Sequence, residues 1–188
     1  ALTTNLTYFF RESHHFEYLA VYLKALPKGK QVTIWCAAAS TGEEPYSIAL
    51  TAMEAGITTN QLTIVATDIN NDVLRAAERG VYSIDQLKPL SMALRQKYFM
   101  KGKGTNQGKV KVCDNVRRMI TFEQLNLLHR EWKLPSAIDI IFCRNVMIYF
   151  DKDTQKRIFY RMMSLLPTKG IYFAGHSENF TAFDDVAT

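Results

Sequence analysis

Trp35-Cys36-Ala37-Ala38-Ala39-Ser40-Thr41-Gly42-Glu43-Glu44-Pro45-Tyr46-Ser47-Ile48-Ala49 is the stretch that decides the fold. Val32-Thr33-Ile34-Trp35-Cys36-Ala37 leads into it as an apolar strand, and small residues then make a tight turn. A helix follows with Pro45 in its first turn, where a missing N–H costs nothing and the fixed φ helps. In an α/β domain such a strand–turn–helix corner is where a nucleotide-like ligand approaches bare backbone. Here the corner holds one glycine and two carboxylates, Glu43 and Glu44, where a phosphate cradle wants neutral or basic groups. Two negative charges at that mouth repel pyrophosphate and attract a cation. The turn therefore points away from NAD or ATP and towards a cationic cofactor such as a sulfonium.

Working outward, βα alternation continues on both sides. Apolar residues Phe16, Leu19, Ala20, Leu23 and Leu26 fall on one helical face before the first strand, and Pro27-Lys28-Gly29-Lys30 ends that helix. A second buried strand runs from Leu62 to Asp68, and Asn70 or Asn71 caps a helix that stops at Gly80. A short helix is expected around 91–98. Ile138 to Cys143 reads as another strand, with a helix after Asp151 and a last strand over 171–174. Between 94 and 122 the alternation breaks. Gly102, Gly104 and Gly108 punctuate a turn between Tyr98-Phe99-Met100 and Val110-Lys111-Val112, a hairpin signal with which Met119 to Phe122 is expected to pair. The expected fold class is α/β: a doubly wound, mostly parallel sheet with a small antiparallel β-subdomain inserted at about 96–122. Residues 1–26 form a leading segment and helix, and 27–188 the domain proper.

Composition bounds the function. A chain of 188 residues with 47% apolar content buries one substantial core. No apolar run approaches the roughly 18 residues of a membrane span, and the first residues lack a signal-peptide pattern. Three cysteines without paired spacing favour a reducing compartment, with Cys36 and Cys143 as core residues. The sequence begins at Ala1 and ends at Thr188, and reads as a piece of something longer. The net charge of +5 is concentrated: Lys97, Lys101, Lys103, Lys109, Lys111, Arg117 and Arg118 crowd one segment, with no acidic residue between Asp85 and Asp114. That segment is either a solvated basic hairpin or a docking surface for an acidic peptide or nucleic acid. Metal chemistry finds no support: His14 and His15 are adjacent rather than four apart, His176 stands alone, and no zinc-like cluster is present.

Ligands of open α/β sheets sit at the carboxyl ends of the strands. The polar residues there are Glu43 and Glu44 after the first strand, Asp68 after the second, Asn126 near a third, and Arg144-Asn145 after the fourth. Asp68 stands where an acidic group takes ribose hydroxyls, although an Asp before a helix also serves as a cap. With the acidic first turn, the set describes a nucleoside-bearing cationic cofactor, S-adenosylmethionine.

Six stretches carry a family resemblance. They are Thr4-Asn5-Leu6-Thr7-Tyr8-Phe9-Phe10-Arg11-Glu12, Ala39 to Ser47, Ala66-Thr67-Asp68-Ile69, Asn126-Leu127-Leu128, Ile141 to Asp151, and Gly175-His176-Ser177-Glu178. In these motifs and their order the chain resembles the chemotaxis receptor methyltransferases of the CheR family, whose fold is of the class I S-adenosylmethionine-dependent type. The resemblance implies methyl transfer from S-adenosylmethionine to glutamate side chains of bacterial chemoreceptors, leaving S-adenosylhomocysteine. It also implies a cytoplasmic enzyme, monomeric, that meets the membrane only through the receptor. Carried over position by position, Asn5, Thr7 and Arg11 contact the cofactor from the leading segment. Glu43 faces its methionine end, Asp68 the ribose, Asn126 and Leu127 the adenine, and Arg144 and Asn145 flank the fourth strand's end. Arg11 and Tyr149 stand beside the transferred methyl. The simpler alternatives are a core aromatic for Tyr149 and a helix-face ion pair with Glu12 or Glu17 for Arg11.

Family members that tether to a receptor's C-terminal tail carry an inserted β-subdomain with a glycine trio, matched here by Gly102, Gly104 and Gly108. Lys101 or Lys111 then meets the tail's carboxylate, and the peptide adds as a strand. The resemblance also implies an N-terminal helical domain that is not in this chain, and a sheet whose last strand lies past residue 188. A nucleic-acid methyltransferase is the competing enzyme. Its amino-directed forms need a Pro-Pro-aromatic turn after the fourth strand, where this chain has Arg144-Asn145-Val146-Met147. Its C5-directed forms need a nucleophilic Cys there, and Cys143 lies inside the apolar run. A non-catalytic cofactor-binding module is the other alternative, which the presence of Arg11 and Tyr149 disfavours.

Overall fold

Successive strand side chains point to opposite faces of a sheet, so a strand apolar at every position needs cover on both. The computed structural model describes residues 7–178, which leaves Asn5 outside the described residues. Its main sheet has five parallel strands in the order β6-β2-β1-β7-β8, where β1 is Val32–Ala37, β2 Leu62–Asp68, β6 Ile120–Gln124, β7 Ile140–Cys143 and β8 Ile171–Ala174. Ile34, Cys36, Ile64, Ala66, Ile140 and Phe142 pack in one layer with α1 (His14–Lys24) and α2 (Glu43–Glu54). Trp35, Ala37, Val65, Ile141 and Cys143 pack in the other with Ile158 and Met162 of α6 (Lys152–Met163). The doubly wound arrangement follows from this two-sided burial. Strand order reverses direction between β1 and β7, and the carboxyl ends there open a crevice.

Local signals set the boundaries. Asn70 accepts a hydrogen bond from the Asp72 N–H (2.8 Å) at the start of α3 (Asn71–Arg79), and Gly80 ends it with φ +61°. Asp151 likewise accepts from the Thr154 N–H (2.9 Å) at the start of α6.

The second sheet has three antiparallel strands in the order β3-β5-β4, where β3 is Val81–Ser83, β4 Phe99–Lys101 and β5 Lys109–Val112. Here the structure corrects one expectation. Met119 to Phe122 does not join the hairpin; Ile120–Gln124 pairs in parallel with β2, Ile64 against Ile120. The hairpin is completed instead by Val81–Ser83, with Tyr82 opposite Val110. The strand expected to begin at Ile138 is also shorter, because Asp139 stays outside β7 and its carboxylate accepts from the Thr33 N–H (2.9 Å).

The small sheet is fastened to the main one. Tyr82 donates its hydroxyl to the Thr41 carbonyl (2.7 Å), and Phe9 packs edge-on against Tyr82 and Phe99, with ring centres 5.0 and 5.8 Å away. Part of the basic segment is spent internally. Lys97 pairs with Glu54, and the Arg117 guanidinium binds Asp114 and the Glu78 carbonyl.

Candidate active site

The acidic turn is built from left-handed backbone. Ala38, Ser40 and Gly42 have φ of +66°, +49° and +97°. At Gly42 a Cβ would lie 2.8 Å from the Ala77 Cβ and 2.9 Å from the Tyr82 hydroxyl, so glycine is required there for both space and dihedral. Asp68 at the end of β2 stitches the turn: one carboxylate oxygen accepts from the Ser40 N–H (2.9 Å), the other from the Asn70 N–H (3.0 Å). The carboxylate still has lone pairs for hydroxyl donors.

The two glutamates of the turn part company. Glu43 is 2% exposed and turns away from the crevice, accepting from the Thr41 hydroxyl (2.6 Å) and the Gln86 amide (3.3 Å). Its expected place at the cofactor's methionine end is therefore corrected: Glu44 lines the cavity and Glu43 does not. Residues one apart on a helix point about 100° apart, so the helix phase decides which of the two faces the crevice.

Glu44 binds the guanidinium of Arg144 (2.7 Å), and the Cys36 thiol donates to its other oxygen (3.1 Å). Arg144 has 1% side-chain exposure and also binds Glu12 (3.0 Å) and the Arg11 carbonyl. This Glu12–Arg144–Glu44 triad, with Arg144 buried and both carboxylates part-buried, welds the leading segment to the ends of β1 and β7. Burial raises the Glu12 carboxyl, but the His176 N–H and Arg144 outweigh it and hold it below the usual value. His15, facing Glu12, His14 and Arg144, is pushed down to about 4, first by burial and then by Arg144.

That shift has a testable sign. Between pH 6.5 and about 4 the unfolded chain takes up a proton at position 15 that the fold refuses. Stability is expected to hold above pH 6.5 and fall as acid is added through this window. Glu12 adds its own loss only below its ordinary carboxylate range. Urea midpoints measured against pH should show the fall, and His15→Asn should flatten it; an unchanged slope in that variant would refute the assignment.

The crevice is a cavity of about 500 Å³ at the carboxyl ends of β1, β2, β6 and β7. It brings together Thr7, Arg11, Asp68, Asn126, Leu127, Arg144, Asn145 and Tyr149 from the sequence reading. Lys101, Gly102, Gly104, Gly108 and Lys111 stand apart from it, on the small sheet and its turn. Tyr149 is 53% exposed at the cavity, which removes the core-aromatic alternative. Asn145 takes φ +59° against Gly175, where a Cβ would meet its amide at 2.7 Å. Glu178 holds that loop: its carboxylate accepts from the N–H groups of Val146 (3.0 Å), Met147 (2.8 Å) and Gly175 (2.6 Å). The motif containing Glu178 is visible in the sequence, but its clasp on a loop more than thirty residues away is not.

The residues present fit a nucleoside-bearing sulfonium. The volume suits a ligand of that size. Asp68 presents a carboxylate, the triad adds two negative charges against one positive, and the buried Ser40 hydroxyl has no protein partner.

Fold and crevice together define the class: a Rossmann-like domain of the S-adenosylmethionine-dependent methyltransferase type. PKMT2 from Rickettsia typhi shares the fold, with a TM-score of 0.53 at 14% identity over 89% of this chain and 26% of that one. Within that class the chain belongs to the CheR family, since residues 5–188 match the CheR methyltransferase SAM binding domain, whose cofactor is S-adenosylmethionine. It is 50% identical over 182 residues to chemotaxis protein methyltransferase 2 of Pseudomonas aeruginosa, and 50% identical over 182 residues to the chemotaxis protein methyltransferase of Klebsiella aerogenes. These alignments cover 96% of the chain but 65% and 62% of the relatives, so the chain spans less than two thirds of their length.

Proposed function

We propose that this protein transfers the methyl group of S-adenosylmethionine to glutamate side chains of bacterial chemoreceptors, forming methyl esters. The observation that carries the reading is the gathering of Asp68, Asn126, Arg11 and Tyr149 around one cavity, in a chain of this family. Bound there, the cofactor supplies an electrophilic methyl on sulfur. Asp68 is placed to take ribose hydroxyls, Asn126 and Leu127 to flank the adenine, and Glu44, in place of Glu43, to lend negative charge near the sulfonium.

The acceptor glutamate needs no strong base. Its unperturbed pKa of about 4.3 leaves it ionised at neutral pH, so this chain's residues have to align it and exclude water. Arg11 orients the acceptor carboxylate and Tyr149 positions it or the methyl; neither acts as a base. Tyr149→Phe keeps the ring and loses one hydroxyl hydrogen bond, so a roughly tenfold fall in kcat is expected. Wild-type turnover in that variant would remove the hydroxyl from the mechanism.

The small sheet supports a second contact. β5 is its central strand, which leaves the β3 and β4 edges to accept a peptide, with Lys101 and Lys111 exposed beside the glycine-bearing turn. We assign the receptor's C-terminal tail to this sheet. Calorimetry should show binding of a tail peptide that Lys101→Glu with Lys111→Glu weakens; equal affinity in that variant would refute the assignment.

The experiment that tests the function is methyl transfer from radiolabelled S-adenosylmethionine to receptor-containing membranes. Label released as methanol by mild base marks a carboxyl ester and bears the reading out. Label that resists base, or none transferred, overturns it.

A further inference from the structure

Between β6 and β7 the chain has no helix or strand, yet Asn126, Leu127 and Leu128 in it wall the cavity. Irregular backbone is held by the bonds it makes and by the side chains it buries, here Leu125, Leu127, Trp132 and Leu134. The Leu125 N–H donates to the Asp68 carbonyl (2.9 Å), and Asn126 accepts from the Leu128 N–H (2.9 Å). The His129 N–H donates to the Asn126 carbonyl (3.1 Å), and one side chain of α6 adds the long-range hold on the far end. Arg161 donates to the carbonyls of His129 and Arg130, both at 2.7 Å, and its guanidinium carbon lies 3.8 Å from the Trp132 ring centre. Trp132 in turn packs against Trp35 of β1 (5.2 Å), whose indole N–H donates to the hydroxyl of Thr67, a cavity residue (3.0 Å).

We propose that Arg161, which does not itself line the cavity, is a positioning residue that holds the Asn126–Leu127 wall in place for the cofactor's nucleoside. The proposal rests on the cofactor reading above. Two consecutive carbonyls and an indole face match the planar fork of a guanidinium; an ammonium keeps the charge but cannot serve all three at once. Loss of Arg161 loosens the backbone three residues from Asn126 and leaves Asp68 at the end of β2 and Ser40 in the acidic turn where they are. The effect should therefore fall on binding and spare turnover at saturation.

The test uses Arg161→Lys and Arg161→Met in the full chain, with three readouts. Amide hydrogen exchange over residues 125–134, measured without cofactor, should speed up in both variants. The affinity for S-adenosylhomocysteine by calorimetry and the KM for S-adenosylmethionine should each weaken about tenfold, with kcat within about twofold of wild type. Faster exchange with unchanged affinity and KM would make Arg161 a structural stitch only and overturn the proposal. A fall in kcat at constant KM would overturn it too. Arg161→Lys keeps the aliphatic stem and the charge, so it serves if Arg161→Met fails to fold. The wild-type protein separates the two readings: if it binds no S-adenosylhomocysteine, the cofactor assignment fails first.

Discussion

Arg144→Met is expected to lower folding stability by about 3–5 kcal/mol, the cost of leaving buried partners of an ion pair uncompensated. That is a large share of the roughly 5–15 kcal/mol that holds a typical domain together. Arg144 is enclosed by Glu12, Glu44 and the Arg11 carbonyl, with the Phe16 ring 5.6 Å below its guanidinium. Removing it leaves two carboxylates facing each other with little solvent. They relieve this by taking up protons, so the folded variant binds protons more tightly than the unfolded chain does. Its stability should therefore rise as pH falls from 7 towards 5, the reverse of the wild-type trend set by His15. Arg144→Lys should fall between, because one ammonium cannot reach acceptors on both sides. Urea unfolding at several pH values reads out both signs. A loss under about 1 kcal/mol would mean the triad is solvated.

Asp68→Ala is expected to weaken S-adenosylmethionine binding about a hundredfold. A carboxylate taking two ribose hydroxyls makes two charge-assisted bonds of about 1.5 kcal/mol each, and about 1.4 kcal/mol is one decade of affinity. The same substitution releases the Ser40 and Asn70 N–H groups, which loosens the acidic turn and adds to the loss. Asp68→Asn keeps an oxygen for one of those donors and should lose less. Calorimetry with S-adenosylhomocysteine decides; a change under threefold would take Asp68 off the ribose.

Much of this architecture can be read from the sequence. Runs such as Val32 to Ala37 and Leu62 to Asp68 are long, apolar and closed by turn residues, and they recur as β1 and β2 with the same bounds. Asn70 and Gly80 mark the ends of α3 because cap chemistry is local. The misses share a cause: each depends on contacts between distant residues. Ile120–Gln124 follows a hairpin closely enough to look like its next strand, and only the register with β2 shows otherwise. Val81–Ser83 is too short to display alternation. Arg144 lines the cavity where the sequence reading put it, but its ion pair with Glu12, 132 residues earlier, has no local signal. Arg161 lies in a helix whose exposed face looks ordinary until the carbonyls of His129 and Arg130 are brought to it.

The bond from Tyr82 to the Thr41 carbonyl bears on how this protein tolerates change. The small sheet is constrained at its root and at its tip, for different reasons. At the root, Tyr82 and Gln86 reach into the acidic turn, and Gly42 has no room to become anything larger. At the tip, a Cβ at Gly102 would clash with the Asn106 carbonyl, and Gly104 and Gly108 have open space but φ of +59° and +81°, which strain any other residue. Diversification of the hairpin, natural or engineered, is therefore steered to the exposed residues between its glycines, Lys103, Thr105, Asn106 and Gln107. Exchange of the whole hairpin as a cassette carries the cofactor turn with it.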